Sequence, residues 1–132
     1  MNIEDLPVSA WLPLPDVAER LGTDVSTVRT IIRDGRLLAA PVGERRVRCV
    51  PAEFLVPGKG DHPVVLAALA GTLALLADAG YTEEESLIWL FTPDPSLETL
   101  GPTGANGPAT PIAALIGGFK GEVLRRAQSL GF

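Results

Sequence analysis

Two short runs of helical periodicity separated by only three residues dominate the first part of this 132-residue chain. In Leu14-Pro15-Asp16-Val17-Ala18-Glu19-Arg20-Leu21, Val17, Ala18 and Leu21 share one face, Pro15 suits a first turn and Gly22 stops the run. Asp24 is placed to cap a second helix over residues 25–34, closed by Gly35. In that helix Val28, Ile31 and Ile32 recur at the spacing of a buried stripe, which leaves Ser26, Thr27, Arg29, Thr30 and Arg33 for the other faces. Two helices joined at Gly22-Thr23-Asp24 have the shape of a helix-turn-helix.

Residues 37–50 change to a strand pattern around Gly43-Glu44, a hairpin turn. Period-two alternation on the return strand predicts Val47 and Cys49 inward and Arg46 and Arg48 outward, with Arg45 beside the tip. Residues 51–55 look like the start of another short helix, and the breaker-rich residues 56–60 set the expected boundary between a domain over 1–57 and one over 61–132. The second domain is read as helical. A long apolar helix is expected from Asp61 or His62 to about Ala79, then a capping box of Thr82 with Glu85 opening a helix that ends near Phe91. Residues 98–109 read as a mobile loop, Thr110-Pro111 as the start of a short helix through Leu115, and residues 119–130 as a terminal helix with Val123, Leu124 and Ala127 inward. The fold class expected is mainly α: a winged helix-turn-helix with a small β-hairpin, followed by a small helical domain.

Charge sharpens this division. The formal net charge is −5, which by itself argues against a nucleic-acid partner. Residues 1–60 carry eight basic and eight acidic side chains, whereas residues 61–132 carry three and eight, the entire deficit. Between Arg29 and Arg48 six arginines face only Asp34 and Glu44, a local +4. A helix that fits the major groove beside a hairpin whose arginines reach phosphates is the arrangement such a patch serves.

The segment 14–55 resembles the winged helix-turn-helix of the MerR/excisionase type. The residues carrying the resemblance are Leu14, Val17-Ala18 and Leu21-Gly22; Ser26-Thr27-Val28-Arg29; Ile32-Arg33-Asp34-Gly35-Arg36-Leu37; and Val42-Gly43, Arg45-Arg46, Arg48 and Val50-Pro51. The resemblance implies that Ser26, Thr27, Arg29, Thr30 and Arg33 face the groove, that Arg45, Arg46 and Arg48 contact the backbone from the wing, and that Arg36 is a further phosphate contact. Over nearly its full length the chain is similar to a small actinobacterial family of DNA-binding proteins that includes a mycobacterial Ser/Thr-kinase substrate. Trp11-Leu12, Trp89-Leu90 and Pro111-Ile112-Ala113-Ala114-Leu115 carry the wider likeness. That likeness implies a transcriptional regulator bound to double-stranded DNA at the cytoplasmic nucleoid. A phosphate on Thr27 or Thr30 would there repel DNA.

The second half is also similar to the toxin-binding domain of Xre-type antitoxins, through Trp89-Leu90, Pro93-Asp94-Pro95-Ser96-Leu97 and Thr110-Pro111-Ile112. It departs from that pattern in the length of residues 98–109 and in Asp94, where asparagine is usual. This likeness keeps open a module that binds a partner protein. The nearly all-round apolar residues 66–76 point to a central helix or to one shared with a second copy in a homodimer. Glu83-Glu84-Glu85 is read as favouring a helix N-terminus, His62 as a helix-start residue and Cys49 as a small core residue. No catalytic residue, cofactor or metal site is therefore expected, and no segment is long and apolar enough to span a bilayer.

Overall fold

The computed structural model describes residues 2–97 and 109–130. The loop expected over 98–109 thus lies, but for Ala109, outside the described residues. The chain divides into two compact units: one is Pro7–Ala70, and the other joins the described residues up to Leu6 to those from Gly71 onward. The division falls in the first turn of a helix, and the N-terminal segment groups with the helical unit.

The first unit begins with strand β1 (Trp11–Pro13), runs directly into helix α1 (Leu14–Leu21), and after a tight turn enters helix α2 (Val25–Arg33). Strands β2 (Ala40–Val42) and β3 (Val47–Pro51) form the hairpin, with Ala40 opposite Cys49 and Val42 opposite Val47. β1 adds antiparallel to the other edge of β3, pairing Leu12 with Val50, so β3 is the central strand. A single 3-10 turn (Ala52–Phe54) leads to the two-residue strands β4 (Leu55–Val56) and β5 (Val64–Val65), which pair antiparallel. Val17, Val28, Ala39, Ala40, Val50 and Phe54 are fully buried and form the core of this unit.

The helical unit contains α3 (Leu69–Asp78, begun in the first unit), α4 (Glu83–Phe91), α5 (Pro111–Ile116) and α6 (Lys120–Ser129). Leu76, Leu87, Leu90, Leu97, Ala114 and Val123 are fully buried there, and the 3-10 turn Ile3–Asp5 packs beside α4. The expected capping box is complete: Thr82 Oγ1 accepts from Glu85 N at 3.1 Å, and Thr82 N donates to Glu85 Oε1 at 2.9 Å. Thr110 caps α5 in the same way, accepting from Ala113 N at 3.2 Å.

Three expectations are corrected. The long apolar helix starts at Leu69, not at Asp61 or His62, because the β-branched pair Val64–Val65 joins β4 and Leu66 N donates to Phe54 O at 2.8 Å. Residues 51–55 form only one 3-10 turn before the chain extends. On β3, Val47 is 43 % exposed while Val50 is fully buried. The alternation names two faces, but β1 flanks only the Cys49–Pro51 end of β3, and Val47 lies at the exposed end of the strand beside the turn.

Gly22 fixes the joint between α1 and α2. Its φ is +72°, and a Cβ added there would lie 3.0 Å from His62 Nε2. Gly35 also has positive φ, +79°, but a Cβ there meets nothing within 4 Å. Gly35→Ala should therefore cost only the left-handed strain of about 1–2 kcal/mol, while Gly22→Ala adds displacement of the imidazole. His62 is exposed and its ring can swing aside, so urea unfolding should place the two variants within about 1 kcal/mol of each other; a much larger loss for Gly22→Ala would show the imidazole to be held in place.

Candidate nucleic-acid interface

α2 owes its start to Asp24, whose Oδ1 accepts the backbone N–H of Thr27 at 2.8 Å. Val28 and Ile31 are buried against the unit and Ile32 is half-buried. That orientation leaves Ser26, Thr27, Arg29 and Arg33 exposed and Thr30 half-buried. Thr30 Oγ1 donates to Ser26 O at 3.2 Å and accepts from Arg33 Nη2 at 3.0 Å. Thr30 thus steadies the Arg33 guanidinium, a positioning role the sequence pattern alone did not show.

The hydrogen bonds from Thr27 hold the Asp24 carboxyl below its ordinary value of 3.8, the backbone N–H contributing most. A depressed native value means that the stability this cap lends α2 is complete above about pH 4 and is lost as pH falls through the native value. Asp24→Asn keeps a capping side chain that does not titrate. Its acid-unfolding curve, followed by circular dichroism, should lack that part of the wild-type acid destabilisation; superimposable acid limbs would contradict the assignment.

The turn between β2 and β3 spans residues 43–46, closed by Arg46 N donating to Gly43 O at 3.1 Å. It holds Gly43 at φ +77° and Arg46 at φ +54°, a left-handed conformation in which a non-glycine residue is uncommon. Arg45 and Arg46 are exposed on this turn, and Arg36 is exposed just beyond Gly35. Among the described residues no carboxylate forms an ion pair with Arg29, Arg33, Arg36, Arg45 or Arg46. Their charge is therefore not neutralised by a paired carboxylate within the described chain.

α2 and the hairpin meet across an open cleft of about 500 Å³. Arg29 and Arg33 line it from the helix and Arg48 from β3, while Pro13, Leu14, Val25 and Val47 supply apolar lining. Of the nine residues expected at the site, these three arginines share the cleft; Ser26, Thr27, Thr30, Arg36, Arg45 and Arg46 lie outside its lining. Sequence reasoning missed the apolar part. Val25 reads simply as the first helical residue, and parity assigns Val47 to the inner face. Cys49 is buried on β3, and burial, with Asp16 adding to it, pushes its thiol up, away from the reactive thiolate. Among the described residues no group of three or more His, Cys, Asp or Glu is placed to hold a metal ion, and no helix is long and apolar enough to cross a membrane.

A helix-turn-helix followed by a β-hairpin that shares a basic cleft with the second helix defines a winged helix-turn-helix protein. Residues 4–55 match the family described as "DNA-binding protein Rv2175c, wHTH domain", and residues 66–131 match "Rv2175c C-terminal domain of unknown function". The chain is 39% identical to the DNA-binding protein Rv2175c of Mycobacterium tuberculosis over 121 residues, covering 90% of this chain and 79% of that protein. The NMR structure of Rv2175c superposes with a TM-score of 0.78 at 36% identity, covering 96% of this chain and 84% of the other. The chain belongs to the Rv2175c family.

Proposed function

We propose that this protein binds double-stranded DNA as a transcriptional regulator, without catalysis, at the nucleoid in the cytoplasm. The observation that carries the reading is the cleft that Arg29 and Arg33 of α2 and Arg48 of the wing line together with apolar side chains. In this reading α2 enters the major groove and the cleft straddles one sugar–phosphate strand, with deoxyribose against Val25 and Val47 and phosphate against the Arg48 guanidinium. Arg45, Arg46 and Arg36 extend the phosphate contacts on either side. Arg29 and Arg33, with Ser26 and Thr27, are the groups able to reach base edges, and Thr30 acts through Arg33. The relative Rv2175c is named a DNA-binding protein, which supports the same activity here.

The helical unit is left for protein contacts, a second copy of the chain among them. Pairing would present two recognition helices to two half-sites and offset the modest polar reach of one α2. Anisotropy titration of a labelled 20-base-pair duplex at low salt tests the whole reading. Saturable binding of full-length protein is expected, and no binding to any duplex at low salt would end it.

A further inference from the structure

α4 presents two apolar faces. Ser86, Leu87, Leu90 and Phe91 are buried, as the core of a small helical unit requires. The opposite face, read along Glu85, Ile88, Trp89 and Thr92 with Tyr81 just before the helix, lines a second open cleft of about 580 Å³. Tyr81, Ile88 and Trp89 remain only half-buried. A partly exposed Trp beside a Tyr is the composition of an interface centre rather than of ordinary surface.

Pro93, Asp94, Pro95 and Pro111 line the cleft as well. The Pro93-Asp94-Pro95 segment is held in place. Asp94 Oδ1 accepts from Ser96 N at 2.9 Å and from Ser96 Oγ at 2.7 Å, while Arg126 donates to Ser96 Oγ at 2.7 Å and to Ser96 O at 3.0 Å. Arg126 is in turn paired with Glu122 at 3.0 Å. A slot fixed before its ligand arrives loses little entropy on binding.

We propose that this cleft docks an extended, proline-containing peptide segment of another protein, bearing arginine or lysine. A groove lined by aromatic side chains such as Tyr81 and Trp89 is the kind of surface on which a polyproline helix docks, because such a helix is preformed and carries flat apolar rings along its length. Among the described residues of this unit there is no strand, so the slot offers no sheet edge for a β-strand to join. The charge selects the cation: Glu85 and Asp94 both line the cleft, Asp94 lies 3.9 Å from Arg126, and residues 71–132 hold seven acidic against three basic side chains. A guanidinium over the Trp89 ring gains from the Glu85 carboxylate and from the ring face. The same acidity turns away nucleic acid. The inference concerns only the helical unit and does not depend on the DNA-binding reading.

The test uses the full-length chain labelled with nitrogen-15, which carries two Trp indoles. Three synthetic peptides are titrated: an arginine–proline decapeptide, its glutamate-for-arginine counterpart, and a peptide of residues 98–108, which has two prolines, Glu98 and no cation. The Trp89 indole signal should shift saturably with the first peptide, with affinity at least roughly tenfold above that for the other two. Followed through the backbone amide signals of Ile88 and Thr92, Trp89→Ala should weaken the first peptide at least roughly tenfold, as removal of a central aromatic anchor does. Glu85→Gln keeps an N3 side chain able to cap Thr82, so it should remain folded and bind roughly twofold to fivefold more weakly. Equal binding of all three peptides, shifts confined to α2 and the wing, or no saturable shift would each overturn the proposal. So would a Trp89 signal that moves with protein concentration alone, since a second copy would then be the occupant.

Discussion

Replacing Arg45, Arg46 and Arg48 together by alanine should flatten the salt dependence of DNA binding. Each phosphate contact releases condensed counterions and contributes about 0.9 to the slope of log affinity against log salt, so three such arginines contribute about 2.7. Between 50 and 200 mM salt the wild-type affinity should accordingly fall roughly fortyfold more than that of the triple variant. The three positions differ in geometry. Arg48 lines the cleft beside Val47, whereas Arg45 and Arg46 stand on the exposed turn, where Arg46 is held at φ +54°. Arg46→Gly removes the charge and also relieves the left-handed strain, so it separates the effect of the guanidinium from that of a distorted turn. Arg33→Ala, alone or with Arg29→Ala, should instead narrow the difference between good and poor duplex sequences, by about 1–3 kcal/mol for each side chain that reads a base edge. Parallel salt lines for wild type and the triple variant would remove the wing from the mechanism.

Much of that interface was legible because it is local. Asp24, Gly22 and Gly35 announce the ends of α1 and α2 through capping and left-handed turns, and Thr82 with Glu85 announces α4 in the same way. Arginines at residues 29, 33 and 48 could be placed on the outer surface from periodicity alone. What stayed hidden depends on partners distant in sequence. β1 is three residues long and includes Pro13, and its existence rests on pairing with Cys49–Pro51, far along the chain. Val64–Val65 sits after Pro63, and proline suits the first turn of a helix as well as the start of a strand, so the apolar run through Ala79 looked like one helix. Val47 failed for a related reason. Parity assigns a side chain to a face but does not say whether anything covers that face.

Phe54→Ala should be the most damaging substitution in the first unit. Phe54 is fully buried and stands in the turn between the central strand β3 and the β4–β5 pair, where its carbonyl accepts from Leu66 N at 2.8 Å. Truncating a buried phenylalanine costs about 3–5 kcal/mol, the forfeited transfer energy plus the cavity left behind. A unit of this size holds roughly 3–10 kcal/mol in all, so the variant should lie near the edge of folding. Urea unfolding read by circular dichroism checks the loss, and a change below about 1 kcal/mol would show that Phe54 is not central to this core. The comparison with the arginine variants then separates two ways of losing DNA. Phe54→Ala should bind in proportion to the fraction folded and recover affinity on cooling toward its most stable temperature. The arginine variants should melt like the wild type and bind weakly at every temperature. If Phe54→Ala were fully folded yet failed to bind, the cleft between α2 and β3 would depend on the β4–β5 segment, and the interface would have to be extended to include it.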